Sequence, residues 1–313
     1  MNPPDLSLTL GNVVFKNPVM VASGTFGYGF EYQDVVDVGK LGAVITKSLT
    51  LEPRPGTPPP RIVETPGGML NAIGLANVGL QRFIHEKLPQ YRDYPTRVIV
   101  NVAGSHPEEY LAIVEALADR PEISGFELNF SCPNVKEGGI CIGVDPHSCQ
   151  NLTAAIRRLT DKPLIVKLTP NVTAIDDIAL AAESGGADAV SLINTLVGLA
   201  VDIRSWKPRL ANVTGGLSGP AIKPVALAQV WQVYRAVQIP IIGIGGIMTV
   251  EDALEFLLVG ARAIQVGTAT FVDPRAATRI VQQLHDYFQQ NHLQNLDAIV
   301  GKMRVESSAR FNK

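Results

Sequence analysis

Cysteine is scarce in this sequence: Cys132, Cys141 and Cys149 are the three found in 313 residues. An odd number without C-x-x-C spacing builds no disulfide framework, and three thiols in one chain cannot make a four-thiolate zinc or iron–sulfur site. Histidine is nearly as sparse. His85, His106, His147, His285 and His292 show neither H-x-x-x-H nor H-E-x-x-H spacing, so no metal centre is expected. Charge of neither sign dominates, with 27 Lys plus Arg against 29 Asp plus Glu, which points away from nucleic acid and from charged membrane surfaces. No apolar run approaches the roughly 18 residues of a membrane-spanning helix. The opening MNPPDLSLTL has neither the basic nor the apolar region of a secretory leader, so a cytoplasmic protein is expected. A hydrophobic share of 46% against 18% charged residues excludes general disorder and allows a large core.

What is present is an alternation of short apolar runs with amphipathic segments. After a predicted hairpin at 6–10 and 13–15, strands are predicted at 19–23, 43–48, 97–102, 125–130, 164–168, 189–193, 241–244 and 263–266. They are rich in Val and Ile and mostly lack an exposed polar face, as strands of a parallel sheet covered on both sides do. Helical patterns at 107–120, 174–184, 221–237 and 250–259 lie between them, the last opened by Thr249 with Asp252 three residues on, a capping-box pattern. Eight such units imply an α/β fold, a (β/α)8 TIM barrel in one domain spanning 1–313, with an N-terminal hairpin. Two connections, at 49–80 and 196–220, are too long for turns and read as lid insertions over the barrel mouth.

Active sites of such barrels lie at the C-terminal ends of the strands. The eight strands deliver, in order, Ser23-Gly24, Lys47-Ser48, Asn101, Asn129, Lys167, Asn194-Thr195, Gly245-Gly246 and Gly267-Thr268. Paired small residues after the last two strands fit a phosphate cradle of backbone N–H groups. GIGGIM is no dinucleotide fingerprint, because Met248 stands where the last glycine belongs. Lysine at two strand ends admits a Schiff-base nucleophile or a cation beside an anionic cofactor. An ion pair with a carboxylate is disfavoured, since no strand end offers Asp or Glu. The carboxamides Asn71, Asn129, Asn134 and Asn194 each donate and accept, which suits a flat ring with an imide edge. The stretch GFELNFSCPN ends its strand with Cys132, either a half-buried small hydrophobe or a proton acceptor near the mouth.

The motifs ITKSLTLEPR, NAIGLAN, NFSCPN, VKLTPNVT, INT, NVTGGLSGPAIKPVAL, GIGGI and VGTA resemble the dihydroorotate dehydrogenase family in order and over essentially the whole chain. NAIGLAN, LEPRPGTPPPR and GGLSGPAIKPVAL resemble its class IB, NAD-linked catalytic subunit. The resemblance implies oxidation of (S)-dihydroorotate to orotate in pyrimidine biosynthesis, with hydride passing from C6 to N5 of one FMN per chain. It implies FMN contacts from Ser23, Lys47, Ser48, Asn101, Asn129, Lys167, Ile193, Gly219, Gly245, Gly246, Gly267 and Thr268. Substrate contacts fall to Lys47, Asn71, Ala72, Ile73, Gly74, Leu75, Asn129, Asn194 and Thr195. Catalytic roles fall to Cys132, as the base that removes the C5 proton, with Lys47 and Lys167. The branch further implies a partner subunit carrying FAD and an iron–sulfur cluster, two of each chain forming a heterotetramer that delivers electrons to NAD⁺. Cys141 departs from the expected loop pattern. Alternatives are a fumarate-using class IA enzyme, another FMN-dependent dihydropyrimidine oxidoreductase, a lysine Schiff-base aldolase, or a barrel that only binds.

Overall fold

The computed structural model describes residues 3–130 and 142–305. Eight parallel strands close into a barrel in chain order: Val19–Val21, Ala43–Ile45, Arg97–Val102, Gly125–Asn129, Leu164–Lys167, Ala189–Leu192, Ile241–Ile244 and Ala263–Val266. Closure is direct, the last strand pairing with the first from Ile264 opposite Val19 to Val266 opposite Val21. Their residues are buried almost throughout, the exception being Arg97 at a strand start, as expected of a sheet with side chains inside and helices outside. The predicted strands overshoot by one to three residues at several C-terminal ends. The first two ladders stop just short of the polar residues, Ser23 in one and Thr46, Lys47 and Ser48 in the other.

The outer helices Pro107–Leu117, Pro146–Arg157, Ile175–Ser184, Lys223–Tyr234, Val250–Leu258 and Ala276–Gln290 bury one stripe each against the barrel. Proline occupies a first-turn position in the first two, where its missing N–H costs nothing. The predicted capping box is formed: Thr249 accepts from the Asp252 amide while Asp252 accepts from the Thr249 amide at 2.9 Å. The predicted 221–237 helix divides into a 3-10 turn, Pro220–Ile222, and the α-helix Lys223–Tyr234. At the opposite end of the barrel the antiparallel pair Leu8–Leu10 and Val13–Phe15 inserts Leu8, Leu10 and Phe15 into the core. No helix among the described residues is long and apolar enough to cross a membrane.

The two long insertions are not separate excursions. Strands Leu196–Leu199 and Thr214–Ser218 from one join Gly68–Asn71 and Ile62–Thr65 from the other in a single four-stranded antiparallel sheet. Its own small core contains Val63, Leu70, Ala72 and Leu210. Close approach requires glycine at the joint: Gly68 has φ 151°, and a Cβ there would sit 1.9 Å from the Ser218 carbonyl oxygen.

Candidate active site

The deepest polar group is one that the sequence reading passed over. Glu127, in the fourth barrel strand, is 0% exposed and lies inside the barrel. Its carboxylate accepts from Asn101 Nδ2 at 2.7 Å, Ser191 Oγ at 2.9 Å and Gln265 Nε2 at 2.6 Å. Lys167 Nζ stands 3.6 Å away as the counter-charge, itself almost fully buried. An isolated buried carboxylate would be prohibitive. Three neutral donors and one cation satisfy this one. The expectation that neither strand-end lysine meets a carboxylate is therefore wrong for Lys167. Its partner comes from mid-strand, two residues below the end of the neighbouring strand, where a count of strand ends misses it.

Above this cluster the strand ends converge. Lys167 Nζ also donates to Ser23 Oγ at 3.2 Å. Asn129 Nδ2 lies 3.5 Å from Ser48 Oγ, and Asn194 Nδ2 is 3.4 Å from Asn129 Oδ1. The Asn129 carbonyl is held by Tyr110 Oη at 2.9 Å, which pins the end of that strand to the outer helix Pro107–Leu117. Thr195 takes its orientation from Asn194, whose Oδ1 accepts its amide at 2.8 Å. Thus the first six strands place two bonded groups at the mouth, Ser23–Lys167 with Asn101 through Glu127, and Ser48–Asn129–Asn194–Thr195, with Asn129 opposite Lys167 in the strand register.

Lys47 stands half-buried at the second strand end. Burial pulls its pKa below that of an ordinary lysine, opposed by the Glu31 carboxylate and reinforced by Arg61. The Arg61 carbonyl accepts from the Ala72 amide at 2.8 Å, which fixes the start of the 71–75 segment against the proline-rich loop. Within that segment Asn71 Nδ2 donates to the Gly216 carbonyl at 3.2 Å. Ile73 accepts from the Thr57 amide, Gly74 packs on Thr57, and the Leu75 carbonyl accepts from Asn77 Nδ2 at 2.7 Å. Asn77 reaches Thr50, just beyond the second strand, so the lid segment is stapled to the barrel rim. These contacts tie Ile73, Gly74 and Leu75 to the proline-rich loop rather than directly to Asn129 or Lys167.

On the far side, Gly245 and Gly246 have φ of 130° and 73°, and Gly245 packs against Ile193. Gly246 closes on Gly219, whose carbonyl oxygen a Cβ at Gly246 would approach to 2.8 Å. Thr268 Oγ1 donates to Ser218 Oγ at 2.8 Å, and Gly267 faces Ala22. Cys132, Asn134 and Cys141 lie outside the described residues. Cys149 is of another kind: burial pushes its thiol up to about 12, and it packs beneath Ile178 as a core hydrophobe.

The arrangement has the polarity of a site for a flat, hydrogen-bonding heterocycle with a phosphate at one edge. Asn101 Oδ1 is buried with no partner among the described residues. A Cβ added at Gly24, beside Ser23, would meet nothing within 4 Å. The model for the dihydroorotate dehydrogenase family matches residues 5–288. The chain belongs to the dihydroorotate dehydrogenase family. Among its family relatives, proteins of Geotalea daltonii (55% identical over 305 residues, 97% of this chain and 100% of the relative) and Pelobacter propionicus (56% over 300 residues, 96% and 99%) are called dihydroorotate dehydrogenase B (NAD⁺), catalytic subunit. The Geobacter sulfurreducens protein, 54% identical over 305 residues, covering 97% of this chain and 100% of the relative, carries the same name. Among solved structures, the dihydroorotate dehydrogenase of Eimeria tenella in complex with ferulenol superposes with a TM-score of 0.79 over 95% of this chain and 88% of that one. At 23% identity it attests the barrel alone. Family membership makes this an oxidoreductase barrel and removes the aldolase and binding-only readings.

Proposed function

We infer that this chain is the catalytic subunit of an NAD⁺-linked dihydroorotate dehydrogenase, oxidising dihydroorotate to orotate in pyrimidine biosynthesis in the cytoplasm. The observation that carries the reading is the convergence of two polar groups, Ser23–Lys167–Glu127–Asn101 and Ser48–Asn129–Asn194–Thr195, at neighbouring strand ends, in a chain more than half identical to proteins of that name. FMN bound in this mouth would supply the hydride acceptor. The residues present fit it. Lys167 has three N–H donors, of which Ser23 takes one while Glu127 at 3.6 Å balances the charge, leaving donors for a ring acceptor. Asn101 Oδ1 is free to accept from a ring N–H. Gly245, Gly246, Gly267 and Thr268 would line the phosphate, with Gly219 and Ile193 behind them and Ser48 and Asn129 alongside the ring.

Dihydroorotate would lie between that ring and the lid sheet. Lys47 would meet its carboxylate, while Asn71, Asn129, Asn194 and Thr195 would hold the amide and imide groups. The backbone from Ala72 to Leu75 would close over it and exclude water. Cys132 would take the C5 proton as general base, since no histidine falls at a barrel strand end. Passing electrons on requires a partner with FAD and an iron–sulfur cluster, proposed to form a heterotetramer with two copies of this chain. The decisive measurement is the visible spectrum of the purified protein under anaerobic conditions. A flavin spectrum that bleaches on adding dihydroorotate is expected. A colourless protein, or a flavin that dihydroorotate leaves oxidised, refutes the assignment.

A further inference from the structure

Glu127 does more than neutralise Lys167. An ionised carboxylate is an acceptor only, so every carboxamide bonded to it must present its NH2 group. Asn101 and Gln265 both do so, at 2.7 and 2.6 Å. Their carbonyl oxygens are thereby turned away, and Asn101 Oδ1 and Gln265 Oε1 are the two members of the cluster buried without a partner among the described residues. A buried carbonyl left unpaired is costly, and Asn101 Oδ1, near the C-terminal end of its strand, is the one a donor bound at that end would relieve. Ser191 is the third donor to the same carboxylate, and Lys167 at 3.6 Å is its counter-charge. One acidic side chain thus sets the hydrogen-bond polarity of residues from four other barrel strands.

We propose that Glu127 is the positioning residue of the flavin floor: it sets Asn101 as an acceptor, aims Lys167 as a donor, and offsets part of the lysine's positive charge. This rests on the FMN reading above. Glu127 touches neither flavin nor substrate and acts through Asn101 and Lys167. Replacing it by a group with its own NH2 sets donor against donor and turns at least one of these residues the wrong way. Loss of its charge leaves the Lys167 ammonium unopposed, which favours a reduced, more negative flavin.

The test is Glu127→Gln, which keeps the volume and removes the charge. Protein stripped of FMN and titrated with it is expected to bind about tenfold or more weakly, the order for losing one hydrogen bond to a charged group. The reduction potential of the bound flavin is expected to rise, a change that a packing role would not produce. The exchange variant E127Q/Q265E, which returns one carboxylate to the cluster, is expected to recover most of both. E127Q with wild-type affinity and potential overturns the proposal, and so does an exchange variant that folds yet recovers neither. Should E127Q not fold, the exchange variant decides alone: values near wild type support the proposal and values far from them reject it. Wild-type protein that takes up no FMN would instead sink the FMN reading itself.

Discussion

At the scale of single residues, the proposed chemistry divides between a thiol that would lose a proton and an ammonium that would keep one. An unperturbed cysteine has a pKa of about 8.5, so only a few per cent is thiolate at neutral pH. Cys132→Ser should slow flavin reduction by dihydroorotate by about two to four orders of magnitude, the range for loss of a general base. Anaerobic stopped-flow at saturating substrate measures it, and an unchanged rate would remove Cys132 from the chemistry. In the wild type that rate should climb as pH enters the alkaline range. Lys47 works in the other direction. Burial, aided by Arg61 and opposed by Glu31, holds its pKa below that of an ordinary lysine, so raising pH strips its charge earlier than from an exposed lysine. In the proposed role its ammonium is the form that would attract the substrate carboxylate. KM should therefore rise with alkaline pH, beginning below the ordinary lysine range. In Lys47→Met the KM should be high throughout and lack that inflection.

At the scale of elements, the joint between the two insertions carries the mouth. Gly68 meets the Ser218–Gly219 backbone so closely that any side chain must push the strands apart. Gly219 in turn underlies Gly246 at the proposed phosphate cradle. Gly68→Ala should lower stability by about 1–3 kcal/mol, the usual cost of overpacking a filled site. It should also weaken FMN binding, because the displacement passes from Gly219 to Gly246. Calorimetry with and without FMN separates the two effects. A variant with wild-type melting and wild-type FMN affinity would show that the joint tolerates expansion.

At the scale of the whole molecule, the barrel supplies a place to oxidise substrate but no sequence fingerprint for a dinucleotide. The described residues hold no cluster of metal-ligating side chains either. The purified chain, loaded with FMN, should consume dihydroorotate with an artificial dye as acceptor yet form NADH at a negligible rate. Adding the proposed FAD and iron–sulfur subunit should restore NADH formation. Rapid NADH production by this polypeptide alone would dispose of the two-subunit scheme.

The barrel was legible because its signal is local and repeated. Most buried strands are short Val/Ile-rich runs, amphipathic helices lie between them, and eight repetitions leave little topological choice. The strand-end residues Ser23, Lys47, Ser48, Asn101, Asn129, Lys167 and Asn194 were legible for the same reason, since barrel geometry dictates where strand ends go. The role of Glu127 was not. Its partners Asn101, Ser191, Lys167 and Gln265 lie 26 to 138 residues away, and nothing in the local pattern of any one announces the others. Gln265 is a single polar letter in an apolar strand, a faint signal that becomes meaningful only once a carboxylate is found opposite it. The lid behaved alike: 49–80 and 196–220 each read as a long loop, and only pairing with the other makes them a sheet. Composition and periodicity determine which segments are strands and which ends are polar. Which polar groups meet inside a closed barrel is decided by closure itself, which brings together side chains that the sequence keeps far apart.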